Sequence, residues 1–150
     1  MRECDHVLDR YGVVGLFAAA LIDVVGTTGC IDLIESSTSA TADARRNFAD
    51  FPNIQIHIGE VVRVLTKINR ADVVVLDPPR EGAGKDVIAK IVALGPRAIV
   101  YVACDPAALA RDTIYLQENG FNLKELRAFD LFPMTHHVEC VALMSRVTYQ

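Results

Sequence analysis

Apolar and polar positions fall along this chain in alternating blocks. Short runs of β-branched and aliphatic residues, bounded by Gly, Pro or Asp, read as buried strands: Val7-Leu8-Asp9, Cys30 to Ile34, Asp72 to Leu76 and Arg97 to Ala103. Ile54-Gln55-Ile56-His57-Ile58 has a period of two and reads as a further strand. Between them lie helical stretches. Gly15 to Val25 is the first, and Thr38 to Ala49 the second, entered through hydroxyl-rich Ser36-Ser37-Thr38. Lys85 to Leu94 precedes Gly95-Pro96, and the last helix opens at Pro106 and stops at Asn119-Gly120. Phe121 to Phe129 and Val138 to Ser145 have no convincing helix between them, so they are expected to pair as a hairpin with one strand antiparallel. Such alternation predicts an α/β fold with a mostly parallel seven-stranded sheet covered on both faces.

Two strand ends carry chemistry. Ile99 to Val102 runs into Ala103-Cys104-Asp105-Pro106, and Val73 to Leu76 runs into Asp77-Pro78-Pro79-Arg80. Open α/β sheets gather ligands at the carboxyl ends of their strands, so a thiol and a carboxylate are expected to face one crevice. Taken singly, Cys104 reads as a small buried hydrophobe and Asp77 as the cap of a rigid turn. Gly12 and Gly15 lie in the loop after the first strand, where backbone lacking a β-carbon can approach a cofactor. Glu35, twenty residues after Gly15, ends the second strand and suits the two hydroxyls of a ribose. Strict G-x-G-x-x-G is absent, which disfavours a dinucleotide. His136 and His137 are adjacent, so on a strand they point apart and make a poor metal pair; no metal is expected.

Bulk properties narrow the class. The 150 residues suffice for one domain, and the longest mostly apolar run, Val13 to Val25, is interrupted by Asp23 and too short to span a membrane. The start lacks a signal-peptide core, and cysteines 4, 30, 104 and 140 show no metal or disulfide spacing, so reduced thiols in a cytoplasmic protein are expected. A net charge of −4 argues against a basic nucleic-acid grip over the whole surface.

Three motifs occur in order: Asp77-Pro78-Pro79-Arg80-x-Gly82; Val100 to Pro106 followed by Leu109-Ala110-Arg111-Asp112; and Phe132-Pro133-x-Thr135-x-His137-x-Glu139. In this combination the chain resembles the catalytic domain of the RNA uracil-5-methyltransferases, which act on ribosomal and transfer RNA. The resemblance implies a class I, Rossmann-like S-adenosylmethionine-dependent methyltransferase fold, with Cys104 as nucleophile and Glu139 as general base. It further puts Tyr11, Glu35 and Asp77 at cofactor positions, beside Gly15, and implies a uridine flipped out of its stack, in ribosomal RNA ahead of transfer RNA.

The chain departs from the family pattern in two ways. Gly12 stands where the family has Cys, Val13 where it has Gly, and Leu16 where it often has Asn. The N-terminal RNA-binding barrel of the family and the segment that precedes its first strand are expected to be missing, with residues 1–150 forming a single catalytic domain whose RNA affinity comes from another domain or subunit. A remnant of this fold deficient in cofactor binding is the second reading. An amino-group methyltransferase fits less well, because Arg80 stands where an aromatic residue would stack the base. A nicotinamide-dependent oxidoreductase lacks its glycine fingerprint.

Overall fold

The computed structural model describes residues 1–3, 5–12, 14–131, 134–135 and 138–147. Seven strands, β1 (His6–Arg10), β2 (Cys30–Glu35), β3 (Ile54–Ile58), β4 (Val73–Leu76), β5 (Ala98–Ala103), β6 (Phe121–Phe129) and β7 (Glu139–Arg146), form one sheet in the order β3-β2-β1-β4-β5-β7-β6. The first five are parallel, and β7 inserts antiparallel to both β5 and β6. This is the α/β sheet with a C-terminal antiparallel hairpin expected from the hydrophobic pattern. Helices α1 (Leu16–Val25), α2 (Thr38–Asn47), α3 (Val61–Leu65), α4 (Lys85–Ala93) and α5 (Pro106–Glu118) connect the strands. Boundaries lie within two residues of those read from the sequence, except that α3 was not anticipated.

The sheet divides two cores. Leu8, Ile34, Val74, Leu76, Ile99 and Tyr101 pack under α3, α4 and α5 on one face. Val7, Ile31, Leu33, Val73 and Val75 pack with Ala18 and Val25 of α1 and Ala44 of α2 on the other. Strands β1 and β4 are therefore buried on both faces, as a doubly covered parallel sheet requires, and β4 is apolar throughout. Strands β5 and β7 instead alternate strictly, with Ile99, Tyr101, Ala142 and Met144 buried and Val100, Val102, Val141 and Leu143 half-buried.

Two buried acids, Asp32 and Asp5, are paired with side chains from other segments. Asp32, in the middle of β2, accepts from His57 at 2.6 Å and from His6. These hydrogen bonds hold its carboxyl below the ordinary carboxylate range against the opposing effect of burial, which is the largest single influence on it. At the amino end of β5, Arg97 forms a bidentate pair with Asp5 at 2.5 and 2.8 Å, tying the start of the chain to the sheet.

Candidate active site

Register builds the site. Arg10 pairs with Ile34 on one side and Leu76 on the other, so the next residues out, Tyr11, Glu35 and Asp77, share one rung at the carboxyl edge. Two backbone hydrogen bonds carry the ladder to that rung, Tyr11 N–H to the Ile34 carbonyl at 3.2 Å and Asp77 N–H to the Arg10 carbonyl at 3.3 Å. The chain then reverses through Tyr11, whose φ of 65° is left-handed, and Gly15, at φ 92°, which caps α1. A β-carbon on Gly15 would lie 2.1 Å from the Phe48 ring, so packing as well as φ demands glycine there. Glu35 accepts from the Ser37 N–H at 2.7 Å, which orients its carboxylate at the strand end.

The chemical half forms by the same logic. Ala103 of β5 pairs with Cys140 of β7, and one step outward Cys104 stands opposite Glu139. Both are half-buried, and alternation puts them on the face of Val102 and Val141. Asp105 caps α5 immediately after Cys104, accepting from the Ala107 and Ala108 amides at 2.8 Å each. Those hydrogen bonds hold its carboxyl below the ordinary range, with Arg111 and Arg80 contributing. Burial pushes the Asp77 carboxyl up, and the nearby Glu139 charge pushes it further. The residues singled out from sequence therefore gather along one edge: Tyr11, Gly15, Glu35 and Asp77 around β1, β2 and β4, with Cys104 and Glu139 one strand farther on. Val13, Phe132, Pro133, His136 and His137, which the sequence reading also used, lie outside the described residues.

Three residues near this edge escaped the sequence reading as functional candidates. Asp9 is fully buried beneath the loop, with one oxygen accepting from Ala18 N–H at 3.0 Å and the other without a partner among the described residues. Burial raises its pKa to about 7, and Asp77 adds to the rise. Arg10 is 2% exposed although it ends a strand of the core. Asp112 is fully buried on α5, where its spacing from Leu109 and Leu116 puts it on the apolar face. A charge at a core position was the available signal for all three.

The charge of Asp77 raises the proton affinity of Asp9, and that of Glu139 raises the proton affinity of Asp77. A crevice edged by such carboxyl groups suits a cationic ligand, and S-adenosylmethionine carries both a sulfonium and an ammonium group. The donor set at the edge thus fits that cofactor.

The sheet order and the carboxyl-edge crevice define a class I S-adenosylmethionine-dependent methyltransferase fold. The NSun6 protein of Pyrococcus horikoshii shares it at a TM-score of 0.80, 16% identity, over 99% of this chain and 50% of that one. The sequence profile described as tRNA (Uracil-5-)-methyltransferase matches residues 18–147, and the chain belongs to that family. An uncharacterized RNA methyltransferase of Streptomyces avermitilis is 54% identical over 145 residues, 95% of this chain and 34% of the relative. One from Streptomyces coelicolor is 53% identical over 95% of this chain and 32% of the relative. The Pyrococcus abyssi tRNA (uracil-54, C5)-methyltransferase, solved with S-adenosyl-L-homocysteine, superposes with a TM-score of 0.74 at 29% identity, over 95% of this chain and 35% of that chain. The chain thus spans about a third of the length of these family relatives. Among the described residues, no helix is long and apolar enough to cross a membrane.

Proposed function

We propose that this chain transfers a methyl group from S-adenosylmethionine to carbon-5 of a uridine in RNA through a covalent Cys104–uracil adduct. The observation that carries the reading is the β5–β7 register, which sets Cys104 opposite Glu139 one strand from Asp77. Tyr11, Gly15, Glu35 and Asp77 hold the cofactor in this reading. When bound, S-adenosylmethionine supplies an electrophilic methyl group.

Uracil carbon-5 is a poor nucleophile until sulfur adds next to it. The Cys104 thiolate forms a bond to carbon-6, and the ring electrons move to give an enolate nucleophilic at carbon-5. Once carbon-5 carries the methyl group, the Glu139 carboxylate removes its proton. The released electron pair re-forms the ring double bond and expels the thiolate. The target base must leave its stack to meet Cys104, so a flipped or single-stranded uridine is the substrate. Residues 1–150 act as a catalytic domain, and their net charge of −4 assigns most phosphate affinity to a separate domain or subunit.

The test is trapping with 5-fluorouridine RNA, whose carbon-5 fluorine Glu139 cannot remove. With cofactor present, a covalent complex containing Cys104 is expected, and Cys104→Ala should form none. An adduct that persists in Cys104→Ala, or is never formed by the wild type with either probe RNA, overturns the mechanism. Ribosomal RNA is the first probe, on the sequence reading. Transfer RNA is the second, because the Pyrococcus relative acts on it. Calorimetry with S-adenosylhomocysteine separates this reading from a remnant deficient in cofactor binding, which would show no heat.

A further inference from the structure

The loop between β4 and α4 carries Asp77 and Arg80, and a buried cluster that the mechanism above does not use fixes its far end. One oxygen of Asp112 accepts three donors: the Ala83 amide at 2.6 Å, the Gly84 amide at 3.2 Å and the Tyr101 hydroxyl at 2.5 Å. The Tyr101 oxygen also lies 3.1 Å from the Ala83 amide. Arg111 approaches the other Asp112 oxygen through Nε and Nη2 at 3.2 Å and donates to the Glu81 carbonyl. Tyr101 and Asp112 are both fully buried. Burial and the Asp112 hydrogen bond push the Tyr101 hydroxyl well above its ordinary pKa, so it stays a donor.

The loop is shaped to reach this cluster. Pro78 and Pro79 fix the backbone leaving Asp77, and a turn closes from Gly82 N–H to the Pro79 carbonyl at 2.8 Å. Gly82 has a φ of 83°, and a β-carbon there would sit 2.6 Å from both Asp112 and Arg111. Only glycine lets the loop lie against the carboxylate. The same helix holds both parts of the chemistry. Its first turn is capped by Asp105, adjacent to Cys104, and Asp112, two turns further on, grips the loop that starts at Asp77.

We propose that Asp112 and Tyr101 are positioning residues that use α5 as a common ruler, setting Asp77 and Arg80 relative to Cys104. The inference rests on the function proposed above. A buried carboxylate accepting three hydrogen bonds is a strong anchor, because its amide partners have no water to turn to if it is lost. Neither side chain touches the reacting atoms in this assignment.

The test uses the full chain and the variants Asp112→Asn and Tyr101→Phe. Leu65→Ala, a core truncation on α3 away from the site, serves as a control for general destabilisation. Three quantities are read: amide hydrogen exchange at Ala83 and Gly84, the Kd for S-adenosylhomocysteine, and the rate of adduct formation on 5-fluorouridine RNA at saturating cofactor. Asp112→Asn should speed exchange at both amides and weaken cofactor affinity and adduct rate by about tenfold each, the effect of one lost charge-assisted hydrogen bond. Tyr101→Phe should move all three in the same direction by less. Leu65→Ala should leave affinity and adduct rate within about twofold of wild type, even with a comparable fall in Tm. Faster exchange with cofactor affinity and adduct rate unchanged from the control would reduce the clamp to a stability element and overturn the proposal. Unchanged exchange would overturn it directly. Absence of cofactor binding by the wild type itself would instead strike the functional reading, a result visible before any variant is compared.

Discussion

Replacing Arg10 by leucine should make this protein more stable. The Arg10 side chain lies in a row with Ile34, Leu76 and Tyr101 that crosses the four adjacent strands β2, β1, β4 and β5, on the face covered by α3, α4 and α5. Its Nη2 donates to the Tyr11 hydroxyl and its guanidinium stacks 4.1 Å from the centre of that ring, but Nε and Nη1 have no partner among the described residues. Burial pulls its pKa down to about 10, so it stays charged at neutral pH. A depression of that size corresponds to about 3 kcal/mol borne by the folded state. Losing the hydrogen bond and ring contact to Tyr11 offsets roughly 1–2 kcal/mol of the gain. The net expectation is stabilisation of about 1–2 kcal/mol, or a rise in Tm of roughly 3–6 °C for a domain of this size. Urea titration at neutral pH measures it, with an unchanged m-value as the check that only stability moved. The sign with pH follows from proton binding. The folded state holds the Arg10 proton more weakly than the unfolded chain, so the penalty is constant below about pH 9 and shrinks as pH climbs through about 10. A variant less stable than wild type by more than about 1 kcal/mol would refute the reasoning, since the guanidinium would then be well satisfied in its site.

Asp9→Asn should remove a pH dependence: with the folded pKa raised to about 7, the folded state holds the Asp9 proton more tightly than the unfolded chain. That carboxyl therefore destabilises increasingly as pH rises from about 4 to 7, by up to roughly 4 kcal/mol. Urea midpoints at pH 4 and pH 8 should show the variant equal to wild type at the first and more stable at the second; equality at both would sink the assignment. Gly15→Val should cost about 2–4 kcal/mol, combining a left-handed φ with collision against Phe48, and a loss under about 1 kcal/mol in a denaturant titration would contradict the packing. Glu139→Gln should let a covalent complex accumulate on ordinary uridine RNA in the presence of cofactor, seen as a slow-migrating band. Rapid turnover with no such band would remove Glu139 from the role of base.

The strands were legible because each is a short apolar run closed by a turn residue, and the long helices because their ends carry hydroxyl, proline or glycine signals. Val61–Leu65 was missed because five residues are too few to express a helical period, and Gly59-Glu60 reads simply as loop. Cys104 and Asp77 could be assigned to strand ends from local pattern alone. That Cys104 faces Glu139 could not, since the partnership depends on β7 slipping between β5 and β6, a long-range choice no local window encodes. Arg10 and Asp112 broke an apolar pattern in plain sight. Reading them needed the knowledge that both positions are fully enclosed.

Parallel neighbours bring only strand ends to the carboxyl edge, so a residue that begins a strand can reach this edge only on an antiparallel member. β7 is that member, and it comes after β1, β2, β4 and β5 in chain order. The cofactor-side residues can thus settle into their sheet while Glu139 is still unmade. Until β7 threads between β5 and β6, Cys104 has no Glu139 opposite it, so in the proposed mechanism the thiol is in place before its base.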